Sequence, residues 1–313
     1  GTPDTYVLKQ ASKISTTTGN KKIYVAMNYP SGGTLPSVNA PLTNLAGLTH
    51  ALGSATELSS NGITMFSAEE ESAALIAETT PGTTPAANKI TVSVKRLVRE
   101  QIARDGSGKI ISQGGELTNL QFALGNANKS IYPLQNRVGT SPNIVVQDPN
   151  WSSFAAGDFF TISNYALASS EYYAVDDISE TALTAQAVYA PENTTQAYDA
   201  AGDNLTYISV RAQYAPEFFC DATGTNKGAG AAGTSFWTVV KSDGSVYYFN
   251  VESDATTFQA ANSGSVKSDE YVDGLCYFRA YINKNGIADG NIAGSKAAKF
   301  DVLRNNYYDM VIN

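Results

Sequence analysis

Thr206-Tyr-Ile-Ser-Val-Arg-Ala-Gln-Tyr214 is the stretch on which the fold reading turns. Ile208, Val210 and Ala212 occupy every second position, the period of a strand that turns one face to a core. The same alternation returns in Lys22–Tyr29, where Ile23, Val25 and Met27 share a parity, in Ile90, Val92 and Val94, and in Leu117–Leu124 with Leu120, Phe122 and Leu124. It continues through Thr234–Lys241, Ser245–Val251, Leu275–Asn283 and Lys299–Ile312. Pro30–Gly33, Asp105-Gly-Ser-Gly108 and Lys241-Ser-Asp-Gly-Ser245 supply the turns between strands. Short strands with regular turn punctuation, and almost no amphipathic helix after residue 92, predict an all-β chain of antiparallel sandwiches with one or two short helices.

At 313 residues the chain is about twice the usual domain length. The Thr/Pro/Gly-rich run Thr79–Asn88 precedes the Ile90–Val94 alternation, so the expected division is an N-terminal domain over 1–92 and a C-terminal domain over 93–313. One helix is predicted in Asn39–Gly53, where Leu45, Leu48 and Leu52 recur at helical spacing, with Pro41 in the first turn and Gly53 at the stop. His50 falls inside it and reads as structural. Ser67-Ala-Glu-Glu70 has capping-box form but follows the extended-looking Gly62–Phe66, so that segment stays open between helix and strand.

Composition excludes several functions. Hydrophobic residues make up 42% and charged residues 16% of the chain, which is the balance of a packed globular protein. A net charge of -8, with no basic cluster beyond Lys95-Arg96, disfavours nucleic-acid binding. One histidine and two cysteines leave little material for zinc sites or Ser-His-Asp triads. No apolar run approaches the roughly 20 residues of a membrane span. Gly1-Thr2-Pro3-Asp4 has neither a basic nor an apolar signal region, which reads as a mature or trimmed chain.

Four motifs have bland readings that outweigh the chemical ones. Gly228-Ala-Gly-Ala-Ala-Gly233 satisfies the dinucleotide glycine pattern, but it follows a loop and leads into a strand, so no helix N-terminus is there to hold a phosphate. Asp289 and Asp301, with Asn283, Asn285 and Asn291, lack calcium-loop spacing and read as a polar hairpin loop. Asp176 and Asp177, with Glu171 and Glu180, are candidate paired acids, but adjacent residues on a strand face opposite ways. Asn128, Asn193 and Asn204 begin glycosylation sequons whose use depends on the source. Cys276 shares the parity of Phe278, Ala280 and Ile282 and reads as core-facing, which argues against a bond to Cys220. No catalytic, cofactor-binding or metal-ligating residue is expected.

Tyr277–Asn283, followed by Phe300–Asp309 with its Arg304-Asn305-Asn306 and Tyr308, resembles the closing strands of the fimbrillins of Bacteroidetes, the subunits of type V pili. Lys22–Asn28, Ile90–Val98, Glu116–Lys129, Ala190–Thr194 with its Pro-Glu-Asn, and Tyr207–Tyr214 are similar to further stretches of the family in the same order. The resemblance implies two antiparallel β-sandwich domains of transthyretin-like, Greek-key type and no enzymatic activity. It implies a structural subunit of a surface fimbrium, supporting adhesion and biofilm formation, whose partners are other fimbrial subunits, a processing protease and surface receptors. Export through the outer membrane as a lipoprotein precursor, removal of an N-terminal strand and acceptance of a neighbour's strand follow from the same likeness.

Against the family's pattern the sequence is expected to start past the first strands and to stop before the C-terminal extension, which leaves stalk, tip and anchor roles open. A tip adhesin reading glycan or protein through Trp151 and Trp237 is the alternative. The wall of the acceptor groove is expected at Tyr308, Met310 and Ile312.

Overall fold

A computed structural model describes residues 17–28, 49–59, 63–67, 71–77, 79, 85–88, 94–96, 98–105, 111–112, 115–174, 187–199, 201–286, 295–296 and 299–312. The decisive stretch forms the strand Tyr207–Pro216, at the centre of a five-stranded sheet. Gly115–Gly125 pairs antiparallel with one side of it and Leu275–Tyr281 with the other, while Tyr173–Ala174 and Ile111–Ser112 both pair with Gly115–Gly125. Val210 therefore stands between Phe122 and Phe278. Ile208, Val210, Phe122 and Val188 form a buried cluster with Leu120 and Leu124 packed against it, so the alternation reads the inward face correctly.

The opposite face is equally buried, which alternation alone does not reveal. Tyr207, Ser209, Arg211 and Gln213 are all shielded from solvent, and Arg211 is 0% exposed. Residues 160–172 lie over them. Ile162 and Tyr172 pack with Tyr207 and Ala123, and the Tyr172 hydroxyl meets Ser209 Oγ at 2.8 Å. The Arg211 guanidinium stacks 3.9 Å from the Tyr172 ring centre and donates to the carbonyls of Tyr165, Ala166 and Leu167 and to Gln121 Oε1. A buried guanidinium is tolerated when its donors find acceptors, and these acceptors hold the covering loop down. Register shifts beside Gln213, where Asn119 adopts a positive φ of 52° and donates to Gln213 Oε1. An extra residue in one strand of a ladder produces such a bulge.

A second layer is built from Trp237–Val240 flanked by Val246–Phe249 and Val266–Lys267. Its hairpin closes as expected, with Lys241 N donating to Ser245 O at 2.9 Å and Gly244 at φ 84°. The helix Glu252–Ala261 packs Ala255 and Phe258 onto Val239, Phe249 and Cys220. It lies within 93–313, where the sequence pattern shows almost no helix. Only those two residues of the helix are buried, so no apolar stripe marks it, although Glu252 and Asp254 in the first turn favour the positive end of the helix dipole.

The third sheet runs Ala187–Pro191, Val98–Asp105, Tyr307–Ile312, and its last pairing is parallel. Ile144–Val146 and Ser295–Lys296 are also parallel, so these two ladders depart from the antiparallel expectation. Toward the N-terminus, Gly19–Ile23 pairs with Glu71–Leu75, and Ala26–Met27, Met65–Ser67 and Val94–Arg96 form a three-stranded sheet. The segment left open around Ser67 is thus strand on both sides.

His50–Ala51 is a strand paired with Ser130–Ile131, which corrects the helical assignment at His50; Asn39–Thr49 apart from Thr49 lies outside the described residues. His50 is buried, and its Nε2 is 3.1 Å from Glu57 Oε1, a carboxylate partner not foreseen in the sequence. Strand pairing and the burial of Leu52 with Leu58, Phe66 and Ile131 override the local helical spacing.

Candidate functional site

Two features gather the residues that the sequence singled out: a buried polar node and an open sheet edge. The node begins with Glu192 and Arg304, each 2% exposed, whose Oε2 and Nη2 are 2.8 Å apart. Arg304 also donates to the carbonyls of Tyr132 and Pro133, and Gln135 Nε2 donates to Glu192 Oε1 at 2.8 Å. Asn128 Nδ2 donates to both Glu192 O and Asp148 Oδ2. Asn193 and Val302 exchange backbone hydrogen bonds at 2.9 and 2.7 Å. The Pro-Glu-Asn stretch, the Arg-Asn-Asn stretch and the end of Glu116–Lys129 thus meet at one place, although they lie far apart in sequence.

Asp148 is the node's titratable centre. It accepts from Thr194 N at 2.6 Å, Asn150 N at 2.7 Å and Asn128 Nδ2 at 2.7 Å. Burial outweighs these donors and, with the nearby Glu192 charge adding to it, pushes the carboxyl up to about 7. Its hydrogen bonds tie residues 148–150 to residues 192–194.

The remaining candidates resolve individually. Asn128, Asn193 and Asn204 are 0%, 4% and 2% exposed, which removes them as glycan acceptors in the folded chain. Their amides hold the node and the turn before Tyr207, Asn204 donating to Thr195 Oγ1 and Ala197 O. Gly228–Gly233 leaves a strand end and runs as a loop, with no helix behind it. Asp301 accepts from Thr195 N, and Asn283 donates to Asp301 O, while residues 287–294 lie outside the described residues. Glu171 accepts from Ser163 and Asn164 and is held below its ordinary range, and Asp176, Asp177 and Glu180 also fall outside the described residues. Among the described residues no three His, Cys, Asp or Glu side chains gather as a metal site, and no helix is long and apolar enough to cross a membrane. Trp151 and Trp237 are half-buried, and Trp237 packs against the Val239 cluster, so neither offers the exposed ring that the adhesin reading assigned to it.

The open edge belongs to Leu275–Tyr281. This strand pairs with Tyr207–Pro216 on one side only, and no described strand pairs with the other. Tyr277 is 42% and Phe278 53% exposed, unusual for large rings in the middle of a strand. Alternation sends them to opposite faces, and each face carries a depression. On one, Cys276 and Phe278 line a groove of about 330 Å³ with Leu117, Tyr214, Val240 and Val246. On the other, Leu275 and Tyr277 line a hollow of about 340 Å³ with Tyr165, Val272, Glu270 and Asp273. Phe236 stacks on Tyr271 at 4.7 Å beneath the first groove, and Tyr165 meets Tyr277 edge-on at 5.5 Å in the second, so both floors are built from rings already fixed by their neighbours.

Of the expected groove wall at Tyr308, Met310 and Ile312, only the Tyr308 side chain is among the described residues. Tyr307–Ile312 is itself an outer strand of its sheet, but Tyr308 packs toward Ala190, Ile282 and Val302, and the side chains beyond it are outside the described residues. The apolar parity of Cys276, Phe278, Ala280 and Ile282 pointed to a core face. The structure buries only its end, Ile282, and leaves Phe278 in the open groove.

No protein-family model matches the chain, and no curated protein does. Among solved structures, it is similar to a fimbrilin from Porphyromonas gingivalis W83 at 16% identity and TM-score 0.40, covering 93% of this chain and 71% of the other. It is also similar to a protein described as a cell adhesion protein from Parabacteroides distasonis, at 15% identity and TM-score 0.41, covering 94% and 76%. These identities and scores are too low for the likeness to assign a family or a function.

Proposed function

We propose that this chain is a structural, non-enzymatic subunit of a bacterial surface fimbrium, joined to its neighbours by strand addition and supporting adhesion and biofilm formation. The observation that carries the reading is the open edge of Leu275–Tyr281, with exposed Tyr277 and Phe278 and a depression on each face. An uncovered edge beside apolar surface is a template for a further strand. An incoming segment of about ten residues would bury about five alternate apolar side chains at about 1.5–3 kcal/mol apiece, an upper bound that suits a durable joint.

The ordered resemblance to fimbrillin segments supports the same reading, because three of those segments lie side by side as Gly115–Gly125, Tyr207–Pro216 and Leu275–Tyr281. Two β-sandwich domains over 1–92 and 93–313, export as a lipoprotein precursor and proteolytic processing belong to the proposal. Electron microscopy of the source cells with and without the gene tests it. Loss of surface fibres is the expected result; intact fibres with lost adhesion would replace it with a tip adhesin.

A further inference from the structure

The two depressions beside Leu275–Tyr281 differ in chemistry, and the difference names the strand that fits. Cys276 and Phe278 border a groove whose other walls are Leu117, Tyr214, Phe236, Val240, Val246 and Tyr248, with Thr238 its one small polar residue. Leu275 and Tyr277, on the opposite face, border a hollow containing Glu270 and Asp273 and no basic side chain. Neither carboxylate has an ion-pair partner among the described residues, and the rings of Tyr165 and Tyr277, set edge to face, line the same space. Arg211 lies behind this wall, fully buried, with its guanidinium donating to the carbonyls of residues 165–167.

The lining residues interleave along one strand: 275 and 277 on the acidic side, 276 and 278 on the apolar side. Only a chain in extended conformation sends successive side chains to opposite faces, so one added strand reaches both depressions at once. We infer that the Leu275–Tyr281 edge selects an extended segment of a second polypeptide that carries apolar side chains on one face and a lysine or arginine on the other, the basic group entering the hollow formed by Tyr165, Tyr277, Glu270 and Asp273. Rings and carboxylates together favour a cation, through ring-quadrupole and Coulombic attraction. The inference deepens the fimbrial reading and rests on its open edge.

The test uses a blocked ten-residue peptide in which valine alternates with threonine and one central threonine is replaced by lysine, with matched peptides bearing glutamate or norleucine there. Binding is read by fluorescence anisotropy at low ionic strength. The lysine peptide is expected to bind about tenfold more tightly than the glutamate peptide, an advantage of the size that charge complementarity supplies. In the Glu270→Gln/Asp273→Asn variant the preference should vanish while binding of the norleucine peptide persists; asparagine also tolerates the positive φ of 52° at position 273. Equal affinities for all three peptides would overturn the charge selection and leave the strand joint standing. Binding of none, or tight binding of N-acetyl-lysine methylamide alone, would overturn the selection and remove this edge as a strand acceptor.

Discussion

Glu192 and Arg304 lie 112 positions apart in the chain, yet their side chains meet at 2.8 Å in a setting where each is only 2% exposed. Two charges taken out of water are tolerated because Gln135 and the carbonyls of Tyr132 and Pro133 complete their hydrogen bonding. The pair clamps the segment after Ala187–Pro191 to the segment before Tyr307–Ile312.

Removing one partner strands the other. Arg304→Met should therefore destabilise the fold by about 3–5 kcal/mol in urea denaturation, while the double change with Glu192→Leu should cost clearly less than the sum of the single changes. Additive costs would mean that the two side chains do not act as a pair.

Asp148 predicts a pH profile. Folded, it holds its proton up to about 7, whereas the unfolded chain releases it near the ordinary aspartate value of 3.8. Between those values the folded chain binds more protons, so this group's contribution to stability is full below the lower one and is lost as pH rises through the upper. Comparison with Asp148→Asn isolates the effect: the wild type should lose stability from about pH 4 to about pH 7 more steeply than the variant. Parallel profiles would contradict the assignment.

The three sequons give a direct readout. With Asn128, Asn193 and Asn204 buried and hydrogen-bonded, the natively folded chain offered to a glycosylating enzyme should show no mass increment at any of them, and Asn128→Ala should cost about 1–3 kcal/mol through the unpaired groups it leaves. A glycan on folded protein at one of these positions would refute the placement.

Both thiols are free, and burial pushes Cys276 up to about 11. At pH 8 its alkylation should run at least about a hundredfold slower than that of an unstructured cysteine. Reaction at the ordinary rate would show an environment more open than the one described.

Much of this architecture was legible where one residue's surroundings are set by its strand neighbours. Ile208, Val210 and Phe122 declare their faces by parity, and Lys241–Ser245 declares its turn by Asp-Gly. What alternation could not show is the second cover on the central sheet, because Arg211 and Gln213 read as solvent-facing until residues 160–172 are placed over them. His50 reads as helical because Leu45, Leu48 and Leu52 recur at helical spacing, while the contact that decides its own strand, with Ile131, lies far away in sequence. Phe278 was misread for the complementary reason: its parity is that of a core face, but the sheet ends there and nothing described covers it. Edges and long-range ion pairs are properties of the assembled sheet, so nothing in the local sequence pairs Glu192 with Arg304.

Phe278→Glu separates folding from assembly. The ring is 53% exposed, so the monomer's stability should change by no more than about 1 kcal/mol, while association with other subunits should be abolished. A variant that assembles normally would exclude the groove from the joint.

The central claim, that Leu275–Tyr281 is the strand to which a neighbouring subunit adds, is tested most directly by hydrogen exchange in its backbone. In the isolated subunit the amides directed away from Tyr207–Pro216 should exchange rapidly while those bonded to it are protected. In assembled fibres the outward amides should become protected as well, because an added strand supplies their acceptors. Outward amides that exchange equally fast in the isolated subunit and in the fibre would contradict the account.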